Sequence, residues 1–114
     1  MIGPETMVAV LDSLKDPLMF VDMDHIIRYM NKVAAEHHDG GEALLDTSVL
    51  DCHNEQSNKV ILEVAAAFET GEDERLISDT DKSRVYMRVV RSPDGKALGY
   101  YERYAPPAKQ GDSE

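Results

Sequence analysis

Apolar residues along this chain follow two rhythms, one of three to four residues and one of two, and the changes between them divide it into elements. Pro4 followed by Glu5 suits a first helical turn, and Met7, Val10, Leu11 and Leu14 recur at helical spacing until Pro17 ends the run. An amphipathic helix of about ten residues is predicted there. From 18 to 30, LMFVDMDHIIRYM holds two short apolar runs on either side of the acidic corner Asp22-Met23-Asp24, the pattern of a hairpin. Asn31 opens a helical stretch through Ala34 and Ala35 that Gly40-Gly41 breaks, and a weakly periodic segment around Ala43, Leu44 and Leu45 follows. Val60, Ile61, Val64, Ala65 and Phe68 form the best-defined stripe, stopped by Gly71. It predicts a helix over about 55 to 69. ERLISDT reads as a strand and SRVYMRVV as a stronger one, and SPDGKA supplies turn chemistry before LGYYERY. The strongest strands are expected at about 84 to 91 and 98 to 104.

Helices and strands segregated in this order argue for an α+β domain with one antiparallel sheet and helices on one side. Its expected core comprises Leu18, Phe20, Ile26, Val60, Ile61, Val64, Phe68, Val85, Met87 and Val89. The expected organisation is an N-terminal helix over 1–16, one domain over 17–105 and a polar, proline-bearing, disordered tail over 106–114.

Composition narrows the function. The chain has 114 residues, 42% hydrophobic and 30% charged, which suits one globular domain. Twenty-two acidic against twelve basic side chains leave a formal charge of -10, which opposes nucleic-acid phosphates and anionic lipid surfaces, so neither is expected as a partner. No apolar run approaches the ~18 residues of a membrane span, and MIGPETMVAV lacks the basic region of a secretion signal. A cytoplasmic location is expected. One cysteine excludes an intramolecular disulfide and a CxxC zinc site.

The motifs also carry a family likeness. MFVDMDHIIRYMNKVAAE resembles the opening of a PAS domain, in which an acidic turn joins the first two strands and an Asn-x-x-Ala segment, here Asn31 to Ala34, starts the first short helix. VILEVAAAFETGE is similar to that family's long helix, and RVYMRVVRSPDGKALGYYERY to its last two strands. The resemblance implies a five-stranded antiparallel sheet with helices packed on one face, enclosing a pocket for a small molecule or cofactor. It implies a sensory or interaction domain of bacterial signal transduction, not an enzyme. The residues agree on the last point, since they contain no nucleophile with a base and a third orienting group, and no phosphate-binding glycine loop.

Chemistry concentrates in DCHNEQS, residues 51 to 57, which holds the lone Cys52 beside His53. Flavin-binding light sensors of the PAS family place a reactive cysteine in Asn-Cys-Arg-Phe-Leu-Gln and amides on the late strands, and neither pattern is present here. Where haem-binding members carry their proximal histidine on the long helix, this chain has Val60, leaving His53, His37 or His38 for an atypical haem site. VLDCHNEQSNKVILEV and GYYERY are similar to a PAS subgroup with Cys-His-Pro and a serine ahead of the long helix and Gly-x-x-Glu on the last strand, with Asn54 here in place of proline. Some members of that subgroup occur beside hemerythrin-like domains. A structural reading stands beside these: Asn54 or Ser57 caps the helix and Cys52 is a small buried hydrophobe.

Further candidates lie on the late strands. Arg84, Tyr86, Arg88 and Val90 share one face, and the arginines suit a carboxylate or phosphate ligand, or else pair across strands with Glu102. Tyr100, Tyr101 and Tyr104 either line a pocket or cover the sheet, the latter being preferred, and His25 is expected to be exposed. The ligand-binding set is thus Cys52, His53, Tyr86, Arg88, Tyr101 and Glu102, with no metal site. The leading function is a sensory domain that binds a small ligand or mediates dimerisation. Haem- or other redox-cofactor sensing is the alternative, followed by a cysteine-dependent thiol enzyme. The expected partners are a second copy, through the N-terminal helix, and an unidentified signalling protein. Many PAS domains end in Asp-x-Thr before a signalling helix, whereas Ala105-Pro106-Pro107 stands here, so a free-standing domain or a piece of a longer protein is expected.

Overall fold

The computed structural model describes residues 1–107. Three helices, α1 (Pro4–Asp12), α2 (Lys32–His37) and α3 (Glu55–Glu69), accompany five strands, β1 (Met19–Asp22), β2 (Ile27–Met30), β3 (Glu74–Asp79), β4 (Arg84–Arg91) and β5 (Ala97–Ala105). All five strands form one antiparallel sheet in the order β2-β1-β5-β4-β3. This is the α+β arrangement expected. The disordered tail expected over 106–114 lies, from position 108 onward, outside the described residues.

Local chemistry explains the boundaries. Asn54 caps α3 by accepting from the Ser57 amide at 2.8 Å, and Gly71, at φ +112, takes the chain out of the helix. The Arg91 guanidinium donates to the Phe68 and Glu72 carbonyls at that end, where backbone oxygens lack helical partners. Asn31 does more than cap α2. It is buried, its Oδ1 accepts from the amides of Leu18 and Ala34, and its Nδ2 donates to the carbonyls of Leu11 and Asp16. One amide thus ties α1, its linker, the hairpin and α2 together with its hydrogen-bonding capacity used.

The core lies between the sheet and α3. Ile61, Val64, Ala65 and Phe68 of α3 are buried, as are Met87, Val89, Ala97 and Tyr100 of the sheet. In the first hairpin the expectation fails by one residue. Val21, Ile27 and Met30 are buried, whereas Leu18, Phe20 and Ile26 are only half-buried. Pairing of β1 with β2 shifts at Phe20/Val21, and a one-residue slip sends each side chain to the opposite face. Val60 and Val85 are also half-buried rather than central. Phe20 instead covers Gly99 on the far side of the sheet, where any Cβ would collide with the Val21 carbonyl and the Phe20 ring.

Two 3-10 turns, Gly41–Leu44 and Val49–Cys52, connect α2 to α3. This connection runs along β2: Ile27 donates to the Thr47 carbonyl, and the Asp46 and Val49 amides donate to Ile27 and His25. The backbone therefore carries Cys52 and His53 to the core side of the sheet. α1 buries none of its nine residues. Among the described residues no helix is long and apolar enough to cross a membrane.

Candidate functional site

A cavity of about 280 Å³ lies between the sheet and the connection that precedes α3. Its apolar wall includes Met19, Val21, Ile27, Ile61 and Met87, and its polar wall is formed by His38, Asp39, Cys52, His53, Glu102 and the tyrosines of β5. Alternation along β5 explains which of these point inward. Val85, Met87 and Val89 of β4 pair with Tyr104, Glu102 and Tyr100, so these three side chains stand on the core face.

Each polar group has a distinct environment. Glu102 accepts one long hydrogen bond, 3.4 Å, from the Tyr104 hydroxyl, and burial raises its pKa against the smaller, opposite influence of His53. Burial chiefly pushes the Tyr104 hydroxyl up to about 12, with the Glu102 charge adding to it, so it remains a donor at neutral pH. Burial, followed by the neighbouring His37 and His53, lowers the pKa of His38 and favours its neutral form. His53 turns Nδ1 to the Val49 carbonyl at 2.8 Å, leaving Nε2 as its remaining polar atom. Cys52 and His53 are exposed while lining the cavity, which puts them at its mouth.

Four of the six expected site residues, Cys52, His53, Tyr101 and Glu102, border this cavity. Tyr101 does so from a position whose side chain alternates to the far face, beside Arg103. Tyr86 and Arg88 lie away from it on that far face. There Arg103 forms a two-bond pair with Glu74 at 2.7 and 3.0 Å and lies 4.2 Å over the Tyr86 ring, while Arg88 approaches Glu74 at 3.5 Å. The cross-strand partner of the arginines is therefore Glu74, held below the usual carboxylate range chiefly by Arg103, and not Glu102. Met87 and Glu102 are direct cross-strand neighbours, and that register turns Glu102 inward.

Other expectations are also corrected. Tyr100 and Tyr104 line the cavity rather than only covering the sheet. Cys52 is exposed rather than a buried hydrophobe. His25 is half-buried at φ +68, with Nδ1 2.9 Å from the Tyr100 hydroxyl. Sequence reasoning weighed His38 only for an atypical haem site and preferred a sheet-covering role for the tyrosines, leaving Tyr100 and Tyr104 out of the ligand-binding set. Counting register outward from the Asp94-Gly95 turn would have shown Glu102 and Tyr104 level with Met87 and Val85.

The cofactor alternatives can be tested against this geometry. Among the described residues no group of three or more His, Cys, Asp or Glu side chains could hold a metal ion. A volume of about 280 Å³ lies just below the range of drug-sized pockets, and a porphyrin would not enter without displacement of the walls. Val60 supplies no ligand atom. No hydrogen bond joins Cys52 to His53 among the described residues.

The chain has relatives among known structures. A crystal structure of a C-terminal domain from Streptococcus mutans superposes with a TM-score of 0.76 at 19% identity, covering 99% of this chain and 91% of that one. A sensory box sensor histidine kinase from Vibrio cholerae superposes with a TM-score of 0.63 at 16% identity, covering 89% and 88%. No curated protein matches the sequence. The sequence profile described as PAS domain matches residues 7–105, nearly the whole chain, and the chain therefore belongs to the PAS domain family.

Proposed function

We propose that this PAS domain is the sensory part of a signal-transduction system and that it holds a small molecule in the cavity between β5 and the connection ahead of α3. The observation that carries this reading is Glu102, an ionisable side chain turned from a central strand into a core-side cavity and met, among the described residues, by one long hydrogen bond. A carboxyl placed there for stability alone would be costly. Binding would be felt at once by β5, through Glu102 and Tyr100, and by the exposed mouth at Cys52 and His53, from which an unidentified signalling partner could read it.

The test is methyl NMR of the purified chain against fractions of a cell extract, following Met19, Ile27, Ile61 and Met87. A fraction that shifts these signals identifies the ligand pool; signals unmoved by every fraction would overturn ligand sensing. An absorption spectrum of the same sample addresses haem and flavin directly, and a Soret or 450 nm band would replace this reading by a cofactor sensor.

Dimerisation through α1 is a second part of the proposal. Met7, Val8, Val10 and Leu14 are 41–51% exposed, and a helix of nine residues has little stability in water without a packed face. A second copy would cover this stripe. Light scattering with and without residues 1 to 16 tests it, and a monomer mass for both would overturn it.

A further inference from the structure

The charges around the cavity are one-sided. Two carboxyl groups, Glu102 and Asp39, border it, and among the described residues no lysine or arginine does. The arginines near the sheet have other engagements: Arg88 and Arg103 pair with Glu74 on the far face, Arg28 with Asp22 and Asp46, and Arg91 with Asp73 and the end of α3. An anionic ligand would meet no lysine or arginine among the described residues and would lie beside the carboxyl of Glu102, an unfavourable arrangement in a poorly solvated space.

Hydrogen-bonding capacity is biased the same way. Glu102 presents two carboxyl oxygens and receives one long bond. His53 commits Nδ1 to the Val49 carbonyl and keeps Nε2 as its remaining polar atom. The Tyr100 and Tyr104 rings add aromatic surface on the same strand, which favours a cation over an anion. The opposite wall is aliphatic and thioether, with Ile27, Ile61, Met19 and Met87.

From this distribution we infer that the cavity selects a compact ligand with an apolar body and a cationic, N–H-donating head, such as an amine or amidine, with Glu102 as the group that receives the head. The inference rests on the cavity being the sensory site and specifies the class of molecule it takes. The fixed negative charge of the protein raises the local concentration of such cations.

Three probes of one shape and different charge test it: benzamidine, benzamide and benzoate. Each is titrated into the full chain while the methyl signals of Met19, Ile27, Ile61 and Met87 are followed. Benzamidine is expected to shift them with an affinity at least about tenfold above that of benzoate, with benzamide between them. Glu102→Gln should remove most of the benzamidine advantage over benzamide and benzoate. The wild-type ranking stands as a test even where the variant fails to fold. Benzoate binding as tightly as benzamidine at these methyls would overturn the charge class while leaving the cavity as a binding site. Benzamidine preference retained in Glu102→Gln would overturn the role of Glu102. Failure of all three probes to move the methyls would overturn this inference, while a shift by an extract fraction would still uphold the sensory reading.

Discussion

The imidazole Nδ1 of His25 lies 2.9 Å from the hydroxyl of Tyr100, joining the tip of the first hairpin to a central strand 75 residues away in sequence. The same tyrosine ring packs against Phe68 of α3, at a centroid separation of 6.4 Å. Hairpin, central strand and long helix thus converge on one side chain that also walls the cavity. Tyr100→Phe keeps the packing and deletes the hydrogen bond, and should cost about 1 kcal/mol of unfolding free energy in urea titration. An unchanged midpoint would show that water replaces the contact without loss.

Asn31 connects more elements than any apolar residue of its size could. Replacing it with alanine removes four hydrogen bonds and leaves backbone groups of Leu11, Asp16, Leu18 and Ala34 without that partner. The expected loss is about 3 kcal/mol or more, seen as a lowered melting temperature. Hydrogen exchange should rise first in α1 and its linker, whose attachment depends on this amide.

Glu102 makes stability depend on pH in a sign opposite to that of the ion-paired carboxylates. It faces His53 and Cys52 from the segment before α3, His38 and Asp39 from the segment after α2, and Tyr100 and Tyr104 on its own strand. Burial raises its pKa in the folded chain above the ordinary 4.5, so its contribution is fully present below that value and is lost as pH rises through the folded pKa. Glu102→Gln should therefore gain stability relative to wild type as pH rises above the ordinary 4.5 and through the raised folded pKa. A difference that stays flat across this interval would show equal ionisation in both states.

Gly99 has the least room of any described glycine. Gly99→Ala would drive a methyl against the Val21 carbonyl and the Phe20 ring, and should cost about 2 kcal/mol, measured by denaturant unfolding. Trimming Phe20 to alanine in the same chain should not restore stability, because the Val21 backbone remains in the way.

The mouth of the cavity should tolerate change. Cys52 is exposed, so Cys52→Ser is expected to alter unfolding free energy by less than about 0.5 kcal/mol. A larger loss would show that Cys52 packs as a structural residue.

Legibility of the fold followed the length of each pattern. α3 was readable because four turns of stripe lie between a side-chain cap and a glycine, and β4 and β5 because their alternation is sustained across a recognisable turn. The first hairpin has strands of four residues with consecutive apolar positions, so period two has no unique phase and the faces were interchanged. At the site, the unusual residues Cys52 and His53 and the acidic Glu102 attracted notice by chemistry. Tyr86 and Arg88 attracted it for the same reason, but residue type carries no information about which face a strand turns to the core. Tyr100, Tyr104 and His38 required the register of paired strands and the path of a connection, which are properties of tertiary structure.

The strand order has a consequence for how the molecule comes into being. β5 separates the hairpin of β1 and β2 from that of β3 and β4, yet it is the last of these five strands to leave the ribosome. Until then each hairpin can close on itself, but the two have no shared surface and α3 has only part of a platform. The decisive pairing joins segments distant in sequence, which slows folding relative to local contacts. During synthesis the unfinished edges of β1 and β4 would remain open to other chains, and a chaperone that shields them would act in the interval before Ala97–Ala105 arrives.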